Sequence, residues 1–139
     1  MTIDFTTDHG KMALAQLENE VVIWLTTVTP KGVPQPNPVW FIWDGDSIII
    51  WVQPGSARLE NFESNAQVSL HFAGDPHASH VTVLIGEAAI DESLGSLSDH
   101  PTHLAKYKER WKQLGMTPDE AARSYSVPLR ISPTRLRGF

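Results

Sequence analysis

The chain has 139 residues, 11 Lys and Arg against 16 Asp and Glu for a net charge of −5, and no cysteine. That length suits one domain with a real core, spanning residues 1–139. The acidic balance argues against a general nucleic-acid binder, and the missing thiols exclude disulfides, thiolate metal sites and a cysteine nucleophile. No uncharged apolar run approaches the roughly 18 residues of a membrane span. The N-terminal MTIDFTTDHGKMALAQ lacks the charged-then-apolar pattern of a secretion signal, so a cytoplasmic protein is expected.

In chain order, residues 9–19 predict a short helix with Met12, Leu14, Ala15 and Leu17 apolar. Residues 21–28 are β-branched and strand-like, and Thr29-Pro30-Lys31-Gly32 predicts a turn. Residues 33–43 form the next strand candidate, joined by an Asp44-Gly45 hairpin to Ser47–Val52. A helix over 56–64, a strand over 66–73 and a long strand over 79–90 follow, with Gly86 as a bulge. Leu104, Tyr107, Trp111 and Leu114 recur at helical spacing over 101–114. Thr117, Pro118 and Glu120 make a capping-box start for a helix over 118–125. Residues 127–137 alternate as a final strand. Six mostly sequential strands in so short a chain predict a mainly β fold, an antiparallel barrel with flanking helices.

Two stretches carry chemistry. Pro34, Pro36 and Pro38 fall on alternate residues, so their missing N–H groups lie on one edge of a strand. The sheet should open there, and a split in a barrel suits a flat ligand; the same pattern also protects an exposed edge against aggregation. The second stretch is WVQPGSARLENFESN, Trp51 to Asn65. Its strand ends at Pro54-Gly55 and a helix opens at Ser56, with Arg58 and Asn61 on one face and Leu59 and Phe62 on another. A hydroxyl, a guanidinium and an amide beside the free N–H groups of a helix start form a candidate phosphate site. Arg58 is the only Lys or Arg between Gly32 and Ala105, which suggests a placed charge. A plain N-cap followed by a solvated arginine is the bland alternative.

These elements together resemble the pyridoxamine-phosphate-oxidase-like, FMN-binding split-barrel family, and within it the flavin/deazaflavin oxidoreductase branch. The resemblance rests on VVIWLTTVTPKGVPQPNPVWFIWDGDSIII with Pro38-Val39-Trp40-Phe41 inside it, on PGSARLENFESNAQVSLHF, on Gly86-Glu87-Ala88 within Val81 to Ile90, and on the ending Ile131 to Phe139. It implies a six-stranded antiparallel split barrel that binds coenzyme F-420 or FMN and transfers hydride to or from a small organic substrate. It further implies that Ser56 and Arg58 hold the cofactor phosphate, with Asn61 supporting the helix start. Asn37, Pro38, Val39 and Trp40 would lie along the tricyclic ring. The family is usually a homodimer with its sites at the interface, so Trp111, Arg135 and Arg137 would complete the partner's site. The C-terminal pattern, in a tail of four arginines without Asp or Glu from Arg123 to Phe139, favours the deazaflavin. No catalytic side chain is singled out, since in hydride transfer the cofactor carries the hard chemistry.

Competing motifs are weaker. His77 and His80, and likewise His100 and His103, lie three apart with Asp75 and Asp99 nearby. Their placement in a loop and at a helix entry predicts surface positions rather than a metal site. No P-loop, dinucleotide fingerprint or G-x-S-x-G occurs. Trp24 and Trp43 read as buried strand residues, and Trp40 as the indole placed to meet a ligand. The functional alternative to an enzyme is a carrier or sensor that holds a flavin, haem or other planar ligand without turnover.

Overall fold

In the computed structural model, which describes residues 3–139, helices and strands follow one another in the order read from the sequence. The first two residues of the expected 1–139 domain lie outside the described residues. α1 (Asp8–Asn19) starts where the Thr7 hydroxyl accepts from the Gly10 N–H at 2.9 Å. The strands are β1 (Val22–Val28), β2 (Pro34–Trp40), β3 (Ile42–Trp43), β4 (Ile48–Val52), β5 (Gln67–His71), β6 (Thr82–Ile90) and β7 (Val127–Gly138). α2 (Ala57–Ser64) lies between β4 and β5, and α3 (Pro101–Gln113) and α4 (Pro118–Ser124) precede β7. Thr117 and Glu120 make the expected capping box of α4.

All pairings are antiparallel in the order β2-β1-β5-β6-β7-β4-β3. β2 and β3 occupy opposite ends of that order yet are separated in the chain by Phe41 alone. The segment therefore leaves β1 at Phe41 and joins β4, which curls the sheet into a half-barrel. This break also explains why seven strands appear where six were expected: the strand anticipated over 33–43 is two.

A kink inside a barrel wall strands backbone polar groups. Here they are met by α3. The Phe41 N–H donates to the Tyr107 hydroxyl at 2.9 Å, and that hydroxyl donates to the Val21 carbonyl at 2.6 Å. Lys106 Nζ donates to the Phe41 carbonyl at 2.9 Å and stands 3.7 Å from the centroid of the Phe41 ring, a cation–π contact. Burial pushes the Lys106 amine down to about 8, opposed by Glu20. Tyr107 is fully buried, and burial raises its phenol well above the ordinary value.

β4 reads as a continuous apolar run because both of its faces are covered. Ile48, Ile50 and Val52 point into the barrel with Leu25, Phe41, Leu70 and Leu84. Ile49 and Trp51 point outward under Leu97, Tyr107, Trp111 and Ala121. At Gly86 the β6–β7 register slips as anticipated, and a Cβ there would stand 2.7 Å from the Ser132 carbonyl oxygen. Arg130 ties β7 to the β3–β4 turn and to the turn after β6, with 2.8 Å contacts to Asp44 and to Asp91. One arginine of the basic tail is thus already paired within the chain. Trp24 and Trp43, expected to be buried, are half-buried instead. Trp24 stacks on His71, and Trp43 meets Phe5 edge-on. The buried indoles are Trp51 and Trp111, under the α3–α4 layer.

Removing the Tyr107 hydroxyl should leave the buried Phe41 N–H unpaired and take its partner from the Val21 carbonyl. Tyr107→Phe is expected to lower stability by about 1–3 kcal/mol. In urea unfolding the midpoint should fall without a change in slope. An unchanged midpoint would remove the closure role.

Candidate functional site

The proline ladder lies where the barrel opens. Pro34, Pro36 and Pro38 face Val28, Thr26 and Trp24 of β1, while Gln35, Asn37 and Val39 alternate with them. The prolines occupy the positions from which β1 needs no N–H, so β2 is satisfied on that side and bare on the other. Nothing pairs with its outer edge among the described residues. In the gap lies a cavity of about 260 Å³. Pro38, Val39 and Trp40 of β2 form one wall, and Trp51 and Val52 of β4 form another. Leu97, His103, Trp111, Leu114 and Tyr125, from the turn before α3 through the end of α4, close it, and Arg58 of α2 supplies the only Lys or Arg. Among the described residues no carboxylate lines it.

The aromatic walls interlock. Trp40 stacks on Tyr107 at 4.6 Å between centroids, nearly parallel at 3°, and meets Trp111 edge-on at 4.6 Å. His103 stands edge-on to Trp51 at 5.2 Å. Trp51 is anchored by its Nε1–H donating to the Gly95 carbonyl at 2.9 Å.

α2 begins one residue later than expected, with Ser56 as its N-cap, but the serine side chain caps nothing. Its buried hydroxyl has no partner, and neither has the buried Arg58 Nε. Burial lowers the Arg58 pKa, with Tyr125 acting the other way; a guanidinium stays charged under any such shift. A half-buried guanidinium with an unpartnered Nε and a buried hydroxyl without a partner, both at a helix start, fit an anionic group such as a phosphate. Asn61 has a different employment. Its Nδ2 donates to Thr27 Oγ1 at 2.9 Å and Gln35 Oε1 at 3.1 Å, locking α2 to β1 and β2.

Of the residues singled out in the sequence, Pro38, Val39, Trp40, Arg58 and Trp111 converge on the cavity. Asn37, on the same strand, is half-buried. Trp111 lines the cavity of its own chain. Arg135 borders a separate hollow of about 440 Å³ beside Asp4, Thr7 and His9, and Arg137 is exposed on β7 opposite Val83. His103 was expected at the surface and is instead 4% exposed. The overlooked signal is its spacing: His103, Tyr107 and Trp111 lie four apart on one face of α3. Among the described residues no group of three or more His, Asp or Glu is placed to hold a metal ion, and no helix is long and apolar enough to cross a membrane.

The His103 imidazole is pushed down to about 4 from the ordinary 6.5, by burial first and then by His100 and Lys106. A histidine of the unfolded chain binds its proton near 6.5, so between those values the unfolded state holds more protons. Stability therefore rises with pH across the window. Stability should fall by up to about 3 kcal/mol as pH drops from about 6.5 to about 4, and His103→Phe should flatten that limb in urea unfolding at a series of pH values. The hydrogen-bonded carboxylates of Asp44, Asp75 and Asp91 are all held below 3.8, so their contribution to stability is lost at lower pH.

The sequence model of the pyridoxamine 5'-phosphate oxidase family matches residues 11–138. No curated protein matches the chain in sequence. A conserved hypothetical protein from Mycobacterium tuberculosis superposes with a TM-score of 0.74 at 20% identity, covering 100% of this chain and 88% of its own. An F-420 reductase gives 0.61 at 22% identity, covering 88% and 94%. HutZ, a haem storage protein from Vibrio cholerae, gives 0.63 at 16% identity, covering 92% and 93%. At these identities the likeness speaks to the fold alone.

Proposed function

Because the chain belongs to the pyridoxamine 5'-phosphate oxidase family, we propose that its cavity binds a phosphorylated flavin-type cofactor and that the protein is an oxidoreductase acting on a small organic substrate. One observation carries this reading: an aromatic cavity at the open edge of the barrel is lined by a single, half-buried guanidinium whose Nε has no partner. The likeness to an F-420 reductase and the C-terminal pattern favour the deazaflavin coenzyme F-420 over FMN. When bound, such a cofactor supplies hydride transfer from its own ring. The chain's contribution is to hold and orient it. Arg58 and Ser56 bind the phosphate, and Asn37, Pro38, Val39 and Trp40 flank the ring on the β2 side. Trp40, Trp51, Trp111 and Leu97 exclude water, which strengthens every polar contact made inside. Asn61 acts at one remove, fixing α2 so that Arg58 keeps its place. A homodimer in the cytoplasm, with Arg135 and Arg137 directed to the partner's site, completes the reading.

Cofactor-free protein titrated with FMN and with coenzyme F-420 tests it directly. Saturable binding of F-420 alone supports the deazaflavin assignment, and preference for FMN moves the protein to the flavin branch. Arg58→Ala is expected to weaken the favoured ligand by about 1–3 kcal/mol, with thermal unfolding unchanged; equal affinity would remove the phosphate role. The second reading is carriage of a planar ligand, favoured by the shared fold of the haem storage protein. Binding of haem with neither flavin nor deazaflavin would select it.

A further inference from the structure

Two polar groups of the cavity wall have no employment in the fold. Trp111 is 6% exposed and its indole Nε1–H has no hydrogen-bond partner; His103 is 4% exposed and its Nδ1 has none either. Both line the cavity, and both project from one face of α3, a turn apart on either side of the closing residue Tyr107. Their rings are stacked, 6.4 Å between centroids and 26° from parallel. A buried polar group without a partner costs roughly 1–3 kcal/mol, and an indole N–H and an imidazole nitrogen beside one void call for a common partner. Trp51 shows the contrast, since its indole, in the same layer, is satisfied by the Gly95 carbonyl.

We propose that Trp111 and His103 read the ring of the bound ligand: the indole Nε1–H donates to an acceptor atom on it, and the imidazole makes a second hydrogen bond beside the first. The ligand is then a flat ring bearing a carbonyl oxygen or unprotonated ring nitrogen, with its anionic group at Arg58. Burial keeps the imidazole uncharged at neutral pH, so it offers one donor and one acceptor and places no second cation in the cavity. This division of labour rests on the cofactor reading above. It adds that α3, the helix that closes the barrel through Tyr107, also selects the ring.

The test separates the ring from the phosphate. Wild-type protein, Trp111→Phe, His103→Phe, His103→Gln and Arg58→Ala are titrated with a ligand pair differing only in the phosphate, FMN and riboflavin. If F-420 is the tighter ligand, the pair is F-420 and its deazaflavin chromophore, which lacks the phosphate and the acidic tail joined through it. Trp111→Phe and His103→Phe are expected to weaken both members by the same factor, about tenfold, and to shift the visible absorption of the bound ring. His103→Gln, which keeps a donor and an acceptor, should recover part of that loss. Arg58→Ala should weaken the phosphorylated member alone and leave the absorption unchanged. Full affinity and an unaltered spectrum in Trp111→Phe and His103→Phe would overturn the ring-reading role while leaving the cofactor reading in place. A wild-type protein that binds no member of either pair would overturn both.

Discussion

The break at Phe41 is the constraint from which the rest of the architecture follows. One segment serves both ends of the sheet, so the barrel closes only if the chain bends between β2 and β3. A bend there leaves an amide and a carbonyl with no strand partner in the dry interior. Tyr107 and Lys106, one turn of α3, satisfy both, and the same hydroxyl reaches the Val21 carbonyl at the entrance to β1. α3 is therefore part of the wall, held by polar contacts of which the one between Tyr107 and the Phe41 amide is buried.

That arrangement places the site. Once α3 is pinned over the kink, Trp111 and His103 are brought against the outer face of β4 and beside the bare edge of β2. Trp40, the last residue of β2, is caught between Tyr107 and Trp111. The cavity lies between a strand that cannot pair outward because it carries prolines and a helix that cannot move away because it completes the backbone of the bend. Its polar groups contrast with those of the core. Tyr107, Asn61 and Trp51 are each paired inside the chain, whereas Ser56, Arg58, His103 and Trp111 each present a buried atom with no partner. Unpaired buried groups are costly and rare in ordinary cores; three of these residues, Arg58, His103 and Trp111, line one cavity, which marks it as a place that gains from a ligand.

Much of this fold is legible in the residues themselves. The alternation in β1 and β7, the Asp44-Gly45 hairpin, the Thr117–Glu120 capping box and the Gly86 bulge all stand where local pattern puts them. The ladder Pro34, Pro36, Pro38 also announces an unpaired edge, because proline lacks the N–H that a second neighbour would need. Half of the site follows from the same kind of signal: Pro38, Val39 and Trp40 adjoin that edge, and Arg58 is the one cation in a long neutral-to-acidic stretch.

What the residues alone could not supply depends on partners far away in the chain. The hydroxyl that closes the bend lies 66 positions from the amide it serves, and no local pattern near Phe41 announces it. His103 looks like a solvated residue at a helix entry, and only the docking of α3 on β4 buries it. Asn61 is spent on Thr27 and Gln35 because of how α2 lies across β1 and β2. Arg135 and Arg137, neighbours in sequence to the other tail residues, stand away from the cavity because β7 runs on past it along β6. The sequence by itself determined the strand periods, the turns, the caps and the open edge, since each is set within a few residues by backbone sterics and side-chain alternation. Only the tertiary structure decided which strand edges meet, which helix covers the gap and which polar atoms are left without partners, since those depend on long-range closure of the barrel.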